Sequence, residues 1–165
     1  MKVLGIDPGT AVLGYGLVEG GRGTQARLVE CGVVRTTARS ALASRLHLIH
    51  QELAGLIERL SPDVLAVEGI FYGKNVRTTI TLGHARGVIL LAGQEAGLVI
   101  AEYAPRLVKS TVVGRGGAAK PQVGYMVAQL LRLKSAPKPA DAADAVAIAL
   151  THILRAPIAE LRRAR

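Results

Sequence analysis

Lys2-Val3-Leu4-Gly5-Ile6-Asp7-Pro8-Gly9 reads as a short apolar strand that ends on a carboxylate and stops at a Pro-Gly turn. Residues 12–19 and 25–34 are two further runs rich in β-formers, separated by Gly20-Gly21-Arg22-Gly23. The three runs predict consecutive hairpin-joined strands that open a sheet. Beyond them the periodicity changes. Leu42, Leu46, Ile49, Leu53, Leu56, Ile57 and Leu60 recur every three or four residues, the spacing of an amphipathic helix over 40–60 that Ser61-Pro62 ends. Val64-Leu65-Ala66-Val67 is a continuous apolar run suited to a strand covered on both faces, and it leads into Glu68-Gly69.

A long helix is expected over 75–96, a strand over 98–103, and short helices from Pro105 to near Gly114 and from Pro121 to Leu133, since proline is favoured in a first helical turn. Residues 135–139 form the last linker, followed by an alanine-rich helix from Asp141 to about Arg155 and a short basic tail, 156–165. Three strands, then helix, strand, helix, strand and more helices describe a mixed sheet flanked by helices, one α/β domain over 1–155. Ligand chemistry in such sheets sits beyond strand ends.

With 165 residues, half of them apolar and 20% charged, the chain suits one domain with a sizeable aliphatic core. Twenty-one Lys and Arg against twelve Asp and Glu give a net charge of +9, which suits a polyanionic partner better than a neutral metabolite. Nucleic acid is the first expectation and a membrane surface the second. Asp7 interrupts the N-terminal run where a signal peptide would still be apolar, and Gln94-Glu95 break the most apolar stretch, so a cytoplasmic protein without membrane insertion is expected. Cys31, the single cysteine, reads as a small buried side chain.

The four aspartates are unevenly placed: Asp7 ends the first strand, Asp141 and Asp144 lie one turn apart on one face of the last helix, and Asp63 is left over. If the strands ending at Asp7 and Glu68 pair in parallel, both carboxylates emerge at one sheet edge, where the last helix can add Asp141 and Asp144. Two like charges 4 Å apart repel by roughly 4 kcal/mol at an effective dielectric near 20, so such a cluster calls for a cation. Hard oxygen donors suit Mg²⁺ or Mn²⁺, and two such ions activate water and stabilise the leaving oxygen in phosphodiester cleavage. Helix capping by Asp141 and turn formation at Asp7 are the competing uses.

Gly5-Ile6-Asp7-Pro8-Gly9-Thr10, Val67-Glu68-Gly69-Ile70-Phe71, Leu82-Gly83-His84-Ala85-Arg86-Gly87, Val108-Lys109-Ser110-Thr111-Val112-Val113-Gly114 and Ala140-Asp141-Ala142-Ala143-Asp144-Ala145 together resemble, in order, the motifs of the RuvC family of bacterial Holliday junction resolvases. The resemblance implies a ribonuclease H-like fold and a homodimer that nicks a four-way DNA junction in pairs, leaving 5′-phosphate and 3′-hydroxyl ends. It implies Asp7, Glu68, Asp141 and Asp144 as ligands of two Mg²⁺ or Mn²⁺ ions; some family members carry His at the third position. It also implies a partnership with the RuvA and RuvB branch-migration complex.

Lys74, Arg77, Arg86, Arg106, Lys109, Arg115 and Lys120 fall between the second and fourth carboxylates, where phosphate neutralisation is their natural use and solvated surface charge the alternative. Lys109 and Lys120 match family positions associated with DNA contact and catalysis. Phe71, with Tyr72 beside it, reads either as an aromatic that stacks on an unpaired base or as a plug of the sheet end, and the resemblance implies a wedge at the crossover. Gly83, Gly87, Gly93 and Gly97 permit close approach of the 75–96 helix, either to a second copy or to its own sheet. His47 and His50 read as surface histidines, and the role of His84 is open.

A phosphate-binding fold of the actin and sugar kinase kind shares the Gly5 to Thr10 pattern, but 165 residues leave no second lobe to enclose ATP. A DNA-binding module without nuclease activity is a second rival, and the intact carboxylate set argues against it; a resolvase relative of the same fold that takes a different junction or an RNA substrate is a third.

Overall fold

A computed structural model describes residues 1–21, 24–69 and 75–163, the last eight of these and Thr24 as backbone only. Five strands, β1 (Lys2–Asp7), β2 (Val12–Gly21), β3 (Thr24–Arg35), β4 (Val64–Glu68) and β5 (Val99–Tyr103), form one sheet in the order β3-β2-β1-β4-β5. β1, β2 and β3 are antiparallel neighbours, whereas β4 pairs parallel to β1 and β5 parallel to β4. Five helices complete the chain: α1 (Leu42–Leu60), α2 (Val76–Glu95), α3 (Pro105–Val113), α4 (Lys120–Leu130) and α5 (Ala140–Arg163). This is the ribonuclease H-like arrangement that the motifs imply.

The alternation of β1 and β4 assigns their side chains to two apolar layers. Leu4, Ile6, Leu65 and Val67 pack with Ile49, Leu53 and Ile57 of α1 and Ala85 and Ile89 of α2. Val3, Val64 and Ala66 face the other way, into the layer of α3, α4 and α5. α5 crosses that face closely. A Cβ on Gly5 would lie 2.1 Å from the Ala145 carbonyl oxygen, and one on Gly14 2.1 Å from that of Asp141. Buried Ala142, Ala143, Ala145, Ala147 and Ala149 supply the matching small surface on the helix.

Two helix ends differ from the sequence expectation. α4 stops at Leu130 rather than Leu133, because Arg132 adopts a left-handed conformation, φ 53°, and the Leu133 amide turns back to the Ala128 carbonyl. α5 runs on to Arg163 rather than ending near Arg155. Pro157 removes a single backbone donor, and the Ala, Glu, Leu and Arg around it are strong helix formers. Among the described residues, no helix is long and apolar enough to cross a membrane.

Candidate active site

Asp7 follows Val3 and Gly5 on the α5 face of β1, and Glu68 follows Val64 and Ala66 on the same face of β4. The parallel register pairs Ile6 with Val67, so both carboxylates lie at adjacent strand ends. Asp141 lies in the first turn of α5 and Asp144 one turn later. The close crossing at Gly5 and Gly14 brings this turn over the end of β1. Carboxylate oxygens of Asp7, Asp141 and Asp144 lie within 4.8 Å of one another. Glu68 stands outside that triple but lines the same pocket of about 160 Å³, with Asp7, Asp144, Lys109 and Lys120.

The pocket is electrostatically frustrated. Burial, reinforced by the charges of Glu68 and Asp144, pushes the Asp7 carboxyl up to about 7 from an ordinary 3.8. Burial and then Asp144 raise Glu68 as well, while Lys120 and Lys109 act in the opposite direction. Lys120, at the first position of α4, donates to Asp144 Oδ2 at 2.6 Å, and this contact holds its ammonium above the ordinary range. An all-oxygen donor set of clustered carboxylates, one of them unwilling to ionise without a counter-charge, matches a hard divalent cation.

A sequence model of the family described as crossover junction endodeoxyribonuclease RuvC matches residues 3–152. The chain belongs to the RuvC family. RuvC of Roseiflexus sp. (strain RS-1) is 49% identical over 157 residues, covering 95% of this chain and 93% of that protein. The solved Thermus thermophilus RuvC superposes with a TM-score of 0.87 at 40% identity, covering 96% of this chain and 97% of that one. T. thermophilus RuvC in complex with a Holliday junction substrate gives 0.86 at 37% identity, covering 96% of each chain.

The expected RuvC site residues separate into groups. Asp7, Glu68, Asp141, Asp144, Lys109 and Lys120 converge, although Asp141 does not line the pocket that holds the other five. Arg77, Arg106 and Arg115 are exposed. Arg86 is turned inward: its guanidinium pairs with Glu102 of β5 and its side chain is only 17% exposed, which ties α2 to the sheet edge. Phe71, Tyr72 and Lys74 lie outside the described residues. Cys31 is half-buried against the α5 layer, and its burial raises the thiol.

His50, expected as a surface histidine, meets Glu95 Oε2 at 2.8 Å and links α1 to α2; the partner is 45 residues away in sequence. A Cβ on Gly93 would meet Leu65 Cδ2 at 2.5 Å, and Gly97 takes φ +67° in the turn after α2, so this pair serves its own sheet and helix end. Gly87, by contrast, is exposed with open space around it. Sequence reasoning also missed Arg45, whose Nε donates to the Thr10 carbonyl beside Asp7.

Proposed function

We propose that this RuvC-family chain resolves four-way DNA junctions as a homodimer, hydrolysing one phosphodiester in each of two opposed strands and leaving 5′-phosphate and 3′-hydroxyl ends. The observation that carries this reading is the convergence of Asp7, Glu68, Asp141 and Asp144, with Lys109 and Lys120, at one end of the sheet. Asp7, Glu68, Asp141 and Asp144 would hold Mg²⁺ or Mn²⁺, two ions per site. When bound, such ions supply the positive charge that makes water a nucleophile near neutral pH and offsets charge on the departing oxygen. The chain contributes the positioning: four carboxylates on rigid elements orient the reacting groups, while the Lys109 and Lys120 ammonium groups hold the scissile phosphate and meet its developing charge.

Val76, Ile80 and Leu91 are 70%, 56% and 51% exposed, and with Gly87 they fall at helical spacing on one face of α2. A second copy packed on that stripe would set two active sites on opposed strands. The relative from T. thermophilus solved with a Holliday junction supports the substrate. Phe71 and Tyr72 would act at the crossover, Phe71 as the wedge, and Lys74, Arg77, Arg106 and Arg115 would contact phosphates. RuvA and RuvB remain the partners that the resemblance implies, in the cytoplasm.

Cleavage of a synthetic four-way junction beside a linear duplex of the same sequence, with Mg²⁺ and with EDTA, tests the reading. Junction-selective, Mg²⁺-dependent nicking in opposed strands is expected. Equal cutting of both substrates, or binding without cutting, would overturn it.

A further inference from the structure

The carboxylate of Asp7 must be held among others that repel it, yet β1 ends at Asp7 and only residues 8–11 separate it from β2. Three hydrogen bonds given to that turn come from outside it. The Thr36 amide, just past β3, donates to the Ala11 carbonyl at 3.0 Å. The Thr36 hydroxyl donates to the Thr10 carbonyl, and Arg45 Nε donates to the same carbonyl at 3.2 Å while meeting Thr36 Oγ1 at 3.0 Å. A Cβ on Gly9 would lie 2.0 Å from the Val12 carbonyl oxygen, so the loop is already folded tightly back on itself.

Arg45 stands in the first turn of α1 and is half-buried, a placement unlike that of its neighbours Arg35 and Arg39, which are exposed. α1 packs on the opposite face of the sheet from α5. The guanidinium therefore reaches around the sheet end from the layer that carries no active-site carboxylate.

We propose that Arg45, acting with Thr36, is a positioning residue that locks the turn after Asp7 and thereby fixes the Asp7 carboxylate for metal binding. The inference rests on the nuclease reading above. Arg45 contacts neither the carboxylates nor the pocket that they line; it acts through the backbone of Thr10, three residues beyond Asp7. Groups that orient metal ligands from outside typically alter metal affinity or activity by about 10 to 100-fold when removed.

The test compares wild type, Arg45→Ala, Thr36→Val, Thr36→Ser and Arg39→Ala, an exposed arginine that serves as a charge control. Three quantities are measured below each protein's melting range: single-turnover junction cleavage across a Mg²⁺ titration, junction affinity in EDTA, and amide hydrogen exchange around residues 8–12 and 36 without metal. Arg45→Ala and Thr36→Val should cut about tenfold or more slowly, need more Mg²⁺ for half-maximal rate, exchange faster around the turn, and bind the junction within about twofold of wild type. Thr36→Ser, which keeps the hydroxyl, should recover most of the rate, and Arg39→Ala should match wild type. Parallel loss of affinity and rate in Arg45→Ala would make it a phosphate contact and overturn the inference, as would unchanged Mg²⁺ dependence and exchange. Failure of wild type itself to cut the junction would instead remove the nuclease reading.

Discussion

Replacing Asp7 by Asn removes a charge that the fold resists holding. In the unfolded chain this carboxyl loses its proton near 3.8, whereas the native site retains it to about 7. Between those values the native state binds more protons than the unfolded state, so stability falls as pH rises through the window. The contribution is fully present below about pH 4 and lost above about pH 7. A difference of about 3 pKa units at about 1.4 kcal/mol each sets an upper bound of about 4 kcal/mol on the native-state penalty at pH 8 without metal. Asp7→Asn abolishes that penalty, because the amide carries no charge for burial, Glu68 and Asp144 to oppose. For a domain of this size each kcal/mol moves the melting temperature by about 2 to 4 °C, so the variant should melt several degrees above wild type, and at most about 16 °C above.

The assay is thermal melting of both proteins in EDTA at pH 4.5 and pH 8, at one protein concentration. The advantage of Asp7→Asn should be large at pH 8 and shrink toward pH 4.5, because other titrating groups are common to both chains. Saturating Mg²⁺ at pH 8 should raise wild type and leave the variant nearly unmoved, since a ligand stabilises only the state that binds it. A variant that melts at or below wild type at both pH values would refute the argument that Asp7 is held against its own ionisation.

Lys120→Ala should slow cleavage on the order of a hundredfold with a smaller loss of junction affinity. Lys120 lowers both Asp7 and Glu68, so the acid limb of the pH-rate profile should move to higher pH; an unshifted profile would assign the lysine to simple backbone contact. Gly5→Ala sets a methyl against the Ala145 carbonyl, so it should destabilise the protein by about 1 to 3 kcal/mol and depress cleavage by displacing Asp141 and Asp144; native melting and rate would show that α5 yields freely. Ile80→Glu on the exposed stripe of α2 should turn a dimer into a monomer by light scattering without lowering the melting temperature of the isolated fold, and a retained dimer would move the interface elsewhere.

The succession of strands and helices along the chain was readable because Pro-Gly, Gly-rich and Ser-Pro punctuation separates runs with distinct periods, and the carboxylates because each ends a strand or begins a helix. Geometry between distant segments was not. Gly5 and Gly14 look like weak points in strands until α5 is laid across them, and nothing local tells that the Asp141 carbonyl will sit where a Cβ would be. Arg86 sat in the expected phosphate-binding set, yet its partner Glu102 lies on another element. The carbonyl that Arg45 reaches is 35 residues away, and a backbone acceptor leaves no signature in side-chain sequence. The continuation of α5 to Arg163 was not legible either, because the residues after Arg155 read as a basic tail.

The claim that four carboxylates act as one hydrolytic site is tested most directly by single-turnover cleavage of a four-way junction with Glu68→Gln, alongside its junction affinity in EDTA. Glu68 is isosterically replaced and lies at the strand end beside Asp7. The account predicts cleavage reduced by several orders of magnitude with junction affinity equal to or tighter than wild type. Nicking at the wild-type rate in a correctly folded Glu68→Gln protein would contradict it.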